Sequence, residues 1–288
     1  MRVLMIHGRA QGGLDPAALK ATWVKTLADG FRGHGRQLPG NLAFDFPYYG
    51  DLLDEFTSKA KLRTPDEVVA KGPGEDRDFE AFEKSVLLEM KKEMQISDDE
   101  VDAVRSPVAG EKGVENWGWV QAIARILDRH VTPASEFTIA TFLKDVYLYL
   151  TKRSVRRAID KTVEDLLTDE PTIIISHSLG TVVAYNIVKA HKADINLKKF
   201  VTVGSPLGIT AISSRLGVIE NPAAAVGWYN AYDERDVVAL NPLDSSYFPT
   251  DPLIMNNNGV QNHTANRHGI VGYLNDAGVA ANVISGLA

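Results

Sequence analysis

Three consecutive isoleucines, Ile173 to Ile175, run into Ser176-His177-Ser178-Leu179-Gly180, and Thr181-Val182-Val183-Ala184-Tyr185 follows without a linker. β-Branched side chains suit a pleated, buried strand. The apolar stretch after them reads as a helix over about residues 179–190, so the chain must pass from strand to helix within a few residues. A turn that tight brings the two backbones close together, and only small residues fit two positions before and two after its tip. Ser176 and Gly180 meet that condition. Ser178 falls at the tip, where the backbone is strained and the hydroxyl is pushed out of the sheet. The same turn aims the amide of Leu179 into that space.

The rest of the chain divides by its patterning. Val3-Leu4-Met5-Ile6, halted by His7-Gly8, reads as a buried strand ending in a loop. A helix is expected over about residues 16–27, then a Gly-rich turn through Gly30, Gly33 and Gly35, then a short strand over 41–46 closed by Pro47. From about residue 51 to 165 the strand signals vanish. Phe79, Phe82, Val86, Met90 and Met94 recur at steps of three or four, one apolar face of an amphipathic helix. Residues 71–100 hold ten acidic and five basic side chains, so the opposite face is solvated. Residues 117–127, 142–150 and 154–167 carry similar stripes, read as packing between helices. Alternation then returns, with strands over 172–176, 200–203 and 228–232 and a closing helix from Ile270. This pattern describes an α/β fold, a mostly parallel, doubly wound sheet with helices on both faces. Residues 1–50 and 170–288 form its core, and 51–169 a mostly helical insertion.

Composition narrows the class of function. The 288 residues carry a net charge of −6, which gives a nucleic-acid surface or an anionic lipid surface no support. The absence of cysteine excludes disulfides, thiolate metal sites and a cysteine nucleophile, and no cofactor or metal is expected. No run of about eighteen apolar residues suggests a transmembrane segment, and the opening residues lack the pattern of a signal peptide. The expectation is a soluble, cytoplasmic protein of unassigned oligomeric state.

With the turn at Ser178 placed between a β-branched strand and a helix, the chain resembles the α/β-hydrolases, closer in style to lipases and esterases than to peptidases. The resemblance covers residues 1–50 and 170–288, and the middle lies where that family is variable, in the position of a cap or lid. Two departures stand out. Ser176 occupies a position where the family more often has glycine, and the first strand already carries the His-Gly loop, so the sheet should be a reduced one. A serine hydroxyl needs an imidazole to take its proton, and the imidazole needs a carboxylate to hold its tautomer. The family's chain order is serine, acid, histidine.

After Ser178 the candidate acids are Asp233 and Asp236, in the loop after the strand that ends near Tyr232. Asp236-Val237-Val238 resembles the Asp-x-Val stretch of many lipases and is preferred, with Asp233 as the rival. Of the two late histidines, His268 opens the last apolar stretch, as the family's base does, and His263 is the rival read as a loop residue or substrate contact. The resemblance thus implies Ser178, Asp236 and His268 as a catalytic triad. It further implies an oxyanion hole from the backbone N–H groups of Leu179 and of Arg9 or Ala10. His7 and His177 are expected to have structural roles, and Ser205 is not a second nucleophile because no elbow helix follows it. Tyr48 and Tyr49 are candidates to line a substrate pocket.

The implied activity is hydrolysis of a carboxylic ester, a small and possibly apolar molecule, through an acyl-enzyme. Two rivals share the scaffold: an acyltransferase using the same three residues, and a hydrolase-fold binding protein in which they are idle.

Overall fold

Among the described residues, six strands form a single sheet in which every neighbouring pair is parallel. They are β1 (Arg2–Ile6), β2 (Ala43–Asp45), β3 (Thr172–His177), β4 (Leu197–Val203), β5 (Trp228–Ala231) and β6 (Met255–Asn257), in the spatial order β2-β1-β3-β4-β5-β6. The computed structural model describes residues 1–72, 74–105, 117–129 and 138–287, and helices among them flank the sheet. Helix α1 (Pro16–Gly33) connects β1 to β2. Between β2 and β3 lie α2 (Gly50–Lys59), α3 (Pro65–Lys71), α4 (Arg77–Glu93), α5 (Asp98–Val104), α6 (Trp117–Asp128), α7 (Ile139–Thr151) and α8 (Arg153–Glu164). Helix α9 (Leu179–Ala190) joins β3 to β4, α10 (Thr210–Ser213) follows β4, and α11 (Val271–Leu274) and α12 (Ala277–Ser285) come after β6.

The register pairs Leu4 with Ile174, Ile174 with Phe200, and Phe200 with Trp228. Because side chains alternate across a strand, these residues share one face. They join a buried cluster with α9 and the helices between β2 and β3. Val3, Ile173, Val201 and Tyr229 point the other way, onto Trp23, Leu27 and Phe31 of α1, Tyr273 of α11 and Val279 and Val283 of α12. A sheet covered on both faces accounts for strands that are apolar without alternation.

The helices between β2 and β3 behave as their periodicity predicts. Phe79, Phe82, Val86 and Met90 are all buried along α4, and the Asp76 side chain caps its first turn by accepting from Phe79 N at 3.0 Å. Across to the chain that follows β4, the Glu89 carboxylate accepts from Thr210 N at 3.0 Å and from Asn241 Nδ2 at 3.0 Å. Among the described residues no helix is long and apolar enough to cross a membrane.

Three elements depart from the expectation. Helix α1 does not stop at Gly30 but runs on to Gly33. Gly30 is needed inside the helix, since a Cβ there would collide with the Leu274 carbonyl oxygen of α11. The closing helix is split into α11 and α12, with Asp276 capping the second by accepting from Val279 N. Strand β6 was not expected at all.

The winding places a site. From β1 the chain turns towards β2, whereas from β3 it steps the opposite way to β4, β5 and β6. The loops after β1 and β3 therefore diverge and leave a crevice at the carboxyl ends of these two strands, where α/β sheets bind their ligands. His7 to Gln11 and Ser178 lie there.

Candidate active site

Ser178 caps α9 with φ 56° and ψ −132°, a left-handed conformation that a non-glycine residue adopts only under constraint. The constraint is visible on both sides of the residue. Its N–H donates to Val203 O of β4 at 3.2 Å, and its carbonyl accepts from Thr181 N at 2.9 Å and Thr181 Oγ1 at 2.8 Å. The Thr181 hydroxyl is itself 2.8 Å from Ser205 Oγ, which accepts from Leu207 N at 3.3 Å. Ser205 is thus a brace of the turn. Gly180 is used as predicted, since a Cβ there would strike the carbonyls of Ile6 and His7. Gly8, which carried no such prediction, is equally confined, since a Cβ on it would lie 2.7 Å from Ser178 Cβ.

Three candidate residues meet in one hydrogen-bonded chain. Ser178 Oγ is 2.8 Å from His268 Nε2, and His268 Nδ1 is 2.7 Å from Asp236 Oδ2. A carboxylate only accepts, so Nδ1 carries the proton and Nε2 is left to accept from the serine hydroxyl. Asp236 Oδ1 accepts from Val238 N at 2.9 Å. All three side chains are buried, with residue exposures of 2% for Ser178, 4% for His268 and 0% for Asp236.

The rivals lie elsewhere. Asp233 accepts from the backbone N–H of Arg235 at 2.9 Å, from its guanidinium at 3.1 Å and from Asn262 N at 2.8 Å. These donors hold its carboxyl below the usual range even though burial works against them. His263 is on the exposed surface of its loop.

His7 and His177 are structural in geometry. His7 donates from Nδ1 to Gly8 O at 2.6 Å, accepts from Tyr49 N at Nε2 at 3.1 Å, and stacks on Tyr49 with ring centroids 4.1 Å apart. Burial lowers it to about 4. His177 Nε2 is 2.7 Å from the His268 carbonyl oxygen, and this ring is lowered well below the usual imidazole range, by burial and then by the neighbouring His268. Both rings stay neutral near pH 7 and fix loops rather than move protons.

A pocket of about 220 Å³ opens on Ser178. His7 to Gln11 form one wall, Asn266 and His268 to Ile270 another, and Trp23 of α1 lies between them. Arg9 and Ala10 line this pocket, and Leu179 is the first residue of α9, whose N–H has no partner within the helix. Tyr48 and Tyr49 do not line it. Tyr49 is buried behind the His7 loop, its hydroxyl donating to the His7 carbonyl, and Tyr48 Oη donates to Gln11 O at 2.7 Å and Asp51 Oδ1 at 2.8 Å. The tyrosines support the loop from behind, because the chain turns into α2 immediately after them. Among the described residues, none that lines this pocket falls between 51 and 169. That segment reaches the rim through Asp145 of α7, whose carboxylate pairs with the Arg9 guanidinium and accepts from Thr57 Oγ1 at 2.5 Å.

Sequence reasoning missed Tyr273, taken only as part of the last apolar stretch. Its hydroxyl donates to Asp236 Oδ2 at 2.6 Å. Nothing local distinguishes it from a core tyrosine, as its partner lies 37 residues away in the chain. Among the described residues no three His, Asp or Glu side chains converge into a group that could hold a metal ion. Compared with models of protein families, with curated proteins and with solved structures, the chain matches none.

Proposed function

We propose that this protein is a serine hydrolase that cleaves a carboxylic ester through an acyl-enzyme, on a reduced α/β-hydrolase fold in which residues 51–169 take the place of the cap. The observation that carries this reading is the unbroken chain from Ser178 Oγ through His268 to Asp236, set at the divergence of β1 and β3. In it, Ser178 attacks the acyl carbon while His268 Nε2 takes the hydroxyl proton. His268 then returns that proton to the departing alkoxide, and Asp236 orients the ring and stabilises the imidazolium. Water, deprotonated by His268, releases the acid and restores the serine. The N–H groups of Leu179 and of Arg9 or Ala10 receive the negative charge on the tetrahedral oxygen, each worth on the order of 3 kcal/mol in the transition state.

The test is labelling with a fluorophosphonate followed by peptide mapping. Phosphonylation at Ser178, lost in Ser178→Ala and accompanied by turnover of p-nitrophenyl esters, is the expected result. A folded protein that takes no label overturns the reading and leaves a binding scaffold in its place.

A further inference from the structure

Asp236 holds His268 through one oxygen, and that oxygen is shared. Oδ2 lies 2.7 Å from His268 Nδ1 and 2.6 Å from Tyr273 Oη, while among the described residues Oδ1 accepts only the Val238 amide at 2.9 Å. Tyr273 is buried, and its own oxygen accepts from Asp233 N at 3.3 Å. The phenol therefore bridges both ends of the loop that carries the acid. It also belongs to the segment that carries the base, five residues after His268. The groups that face it are Asp236, Asp233 with its partner Arg235, and the His177 ring, whose centroid is 5.9 Å away.

We infer that Tyr273 is a positioning residue for the base, clamping the carboxylate oxygen that orients His268 and drawing off part of its charge. The inference rests on the reading of Ser178, His268 and Asp236 as the reacting chain. An ionised carboxylate binds its donors strongly, and each donor on one oxygen reduces what that oxygen offers the next. With the phenol in place, Asp236 gives an imidazolium at His268 less support than a carboxylate serving that ring alone. The O–H also fixes the rotation of the carboxyl group, which the Val238 amide holds from one side only. Burial, followed by the Asp236 charge, pushes the phenol well above its ordinary range, so it remains a donor throughout the working pH range.

The experiment follows two readouts against pH in the wild type, Tyr273→Phe and a variant with difluorotyrosine at this site. One is the rate of fluorophosphonate labelling at Ser178, and the other is the NMR titration of the His268 ring, which needs no activity. Tyr273→Phe is expected to move both midpoints to higher pH by about half a unit. Difluorotyrosine, a stronger donor, is expected to move them to lower pH. Midpoints that coincide in all three proteins, or a downward movement in Tyr273→Phe, overturn the inference. If Tyr273→Phe does not fold, the difluorotyrosine arm decides alone. Absence of label in the wild type counts against the hydrolase reading instead, and the NMR arm still judges Tyr273.

Discussion

His177 Nε2 donates to the carbonyl oxygen of His268 across 2.7 Å, so the residue just before the serine holds the backbone of the residue whose ring lies 2.8 Å from the serine hydroxyl. The two imidazoles lie with centroids 4.7 Å apart, one neutral and structural, the other aligned between serine and carboxylate. The turn after β3 thereby sets both ends of the Ser178–His268 hydrogen bond.

Replacing this donor exposes its contribution. His177→Phe keeps a ring against Trp23 and Tyr273 but leaves the His268 carbonyl without this partner. Losing a hydrogen bond of this kind costs about 0.5–1.5 kcal/mol, so the melting temperature should drop by a few degrees. Labelling of Ser178 should slow as His268 loosens. An unchanged melt, measured by circular dichroism, would count against the assignment.

His7 makes stability pH-dependent. In the unfolded chain a histidine takes up its proton near 6.5, whereas in the fold His7 does so only at about 4. Between these values the unfolded chain binds more protons, so stability falls as the pH drops through this window. From about pH 7 to about 4.5 His7 accounts for about 2 kcal/mol of loss, and the depressed His177 acts in the same direction. Urea melts of wild type and His7→Asn at both pH values isolate the effect, because the other groups cancel. The wild type should lose more stability than the variant, and equal losses would contradict this.

The approach of the β1 loop to the turn leaves no room for a methyl group. Gly8→Ala would place Cβ 2.7 Å from Ser178 Cβ and 3.2 Å from its Oγ. We expect labelling to fall at least about a hundredfold, the scale of losing an oxyanion donor, with a loss of stability of about 1–3 kcal/mol from overpacking. Gly33→Ala, at the end of α1 where nothing lies within 4 Å, is the control and should be neutral or slightly stabilising.

Trp23 is the bulkiest side chain that lines the proposed acyl pocket. It lines a volume of about 220 Å³, smaller than the sites that hold drug-sized ligands. The wild type should prefer p-nitrophenyl acetate or butyrate, and Trp23→Ala should shift the optimum of kcat/KM towards hexanoate or octanoate. The same chain-length preference in both proteins would show that another wall limits the substrate.

Much of this arrangement was legible because it is local. Three isoleucines, a small-residue turn and an apolar helix announce themselves within thirteen residues, and β1 ends in His7-Gly8 just as visibly. What escaped depends on contacts distant in the chain. Strand β6 has three residues, two of them asparagine, and its place beside β5 is supported by side chains, with Asn230 Nδ2 donating to Asn256 Oδ1 at 3.0 Å. No alternation of polarity can reveal such an edge. Gly30 reads as a helix stop until the Leu274 carbonyl is seen against it. Tyr48 and Tyr49 follow a strand at the expected edge, yet the direction in which they point is decided by the His7 loop packed on them. The preference for Asp236 over Asp233, by contrast, was readable from the sequence, and in the structure Arg235 and Asn262 occupy Asp233.

The backbone at Ser178 has a consequence for the whole chain. A φ of 56° with ψ of −132° is a conformation in which glycine rests at ease and serine does not. Exchanging the side chain for a hydrogen atom, Ser178→Gly, should therefore yield a hardier protein that is chemically silent. If Ser178 is the nucleophile proposed above, keeping a hydroxyl there opposes thermal resistance to reactivity at a single residue, and selection for heat tolerance alone would drift towards losing the proposed reaction.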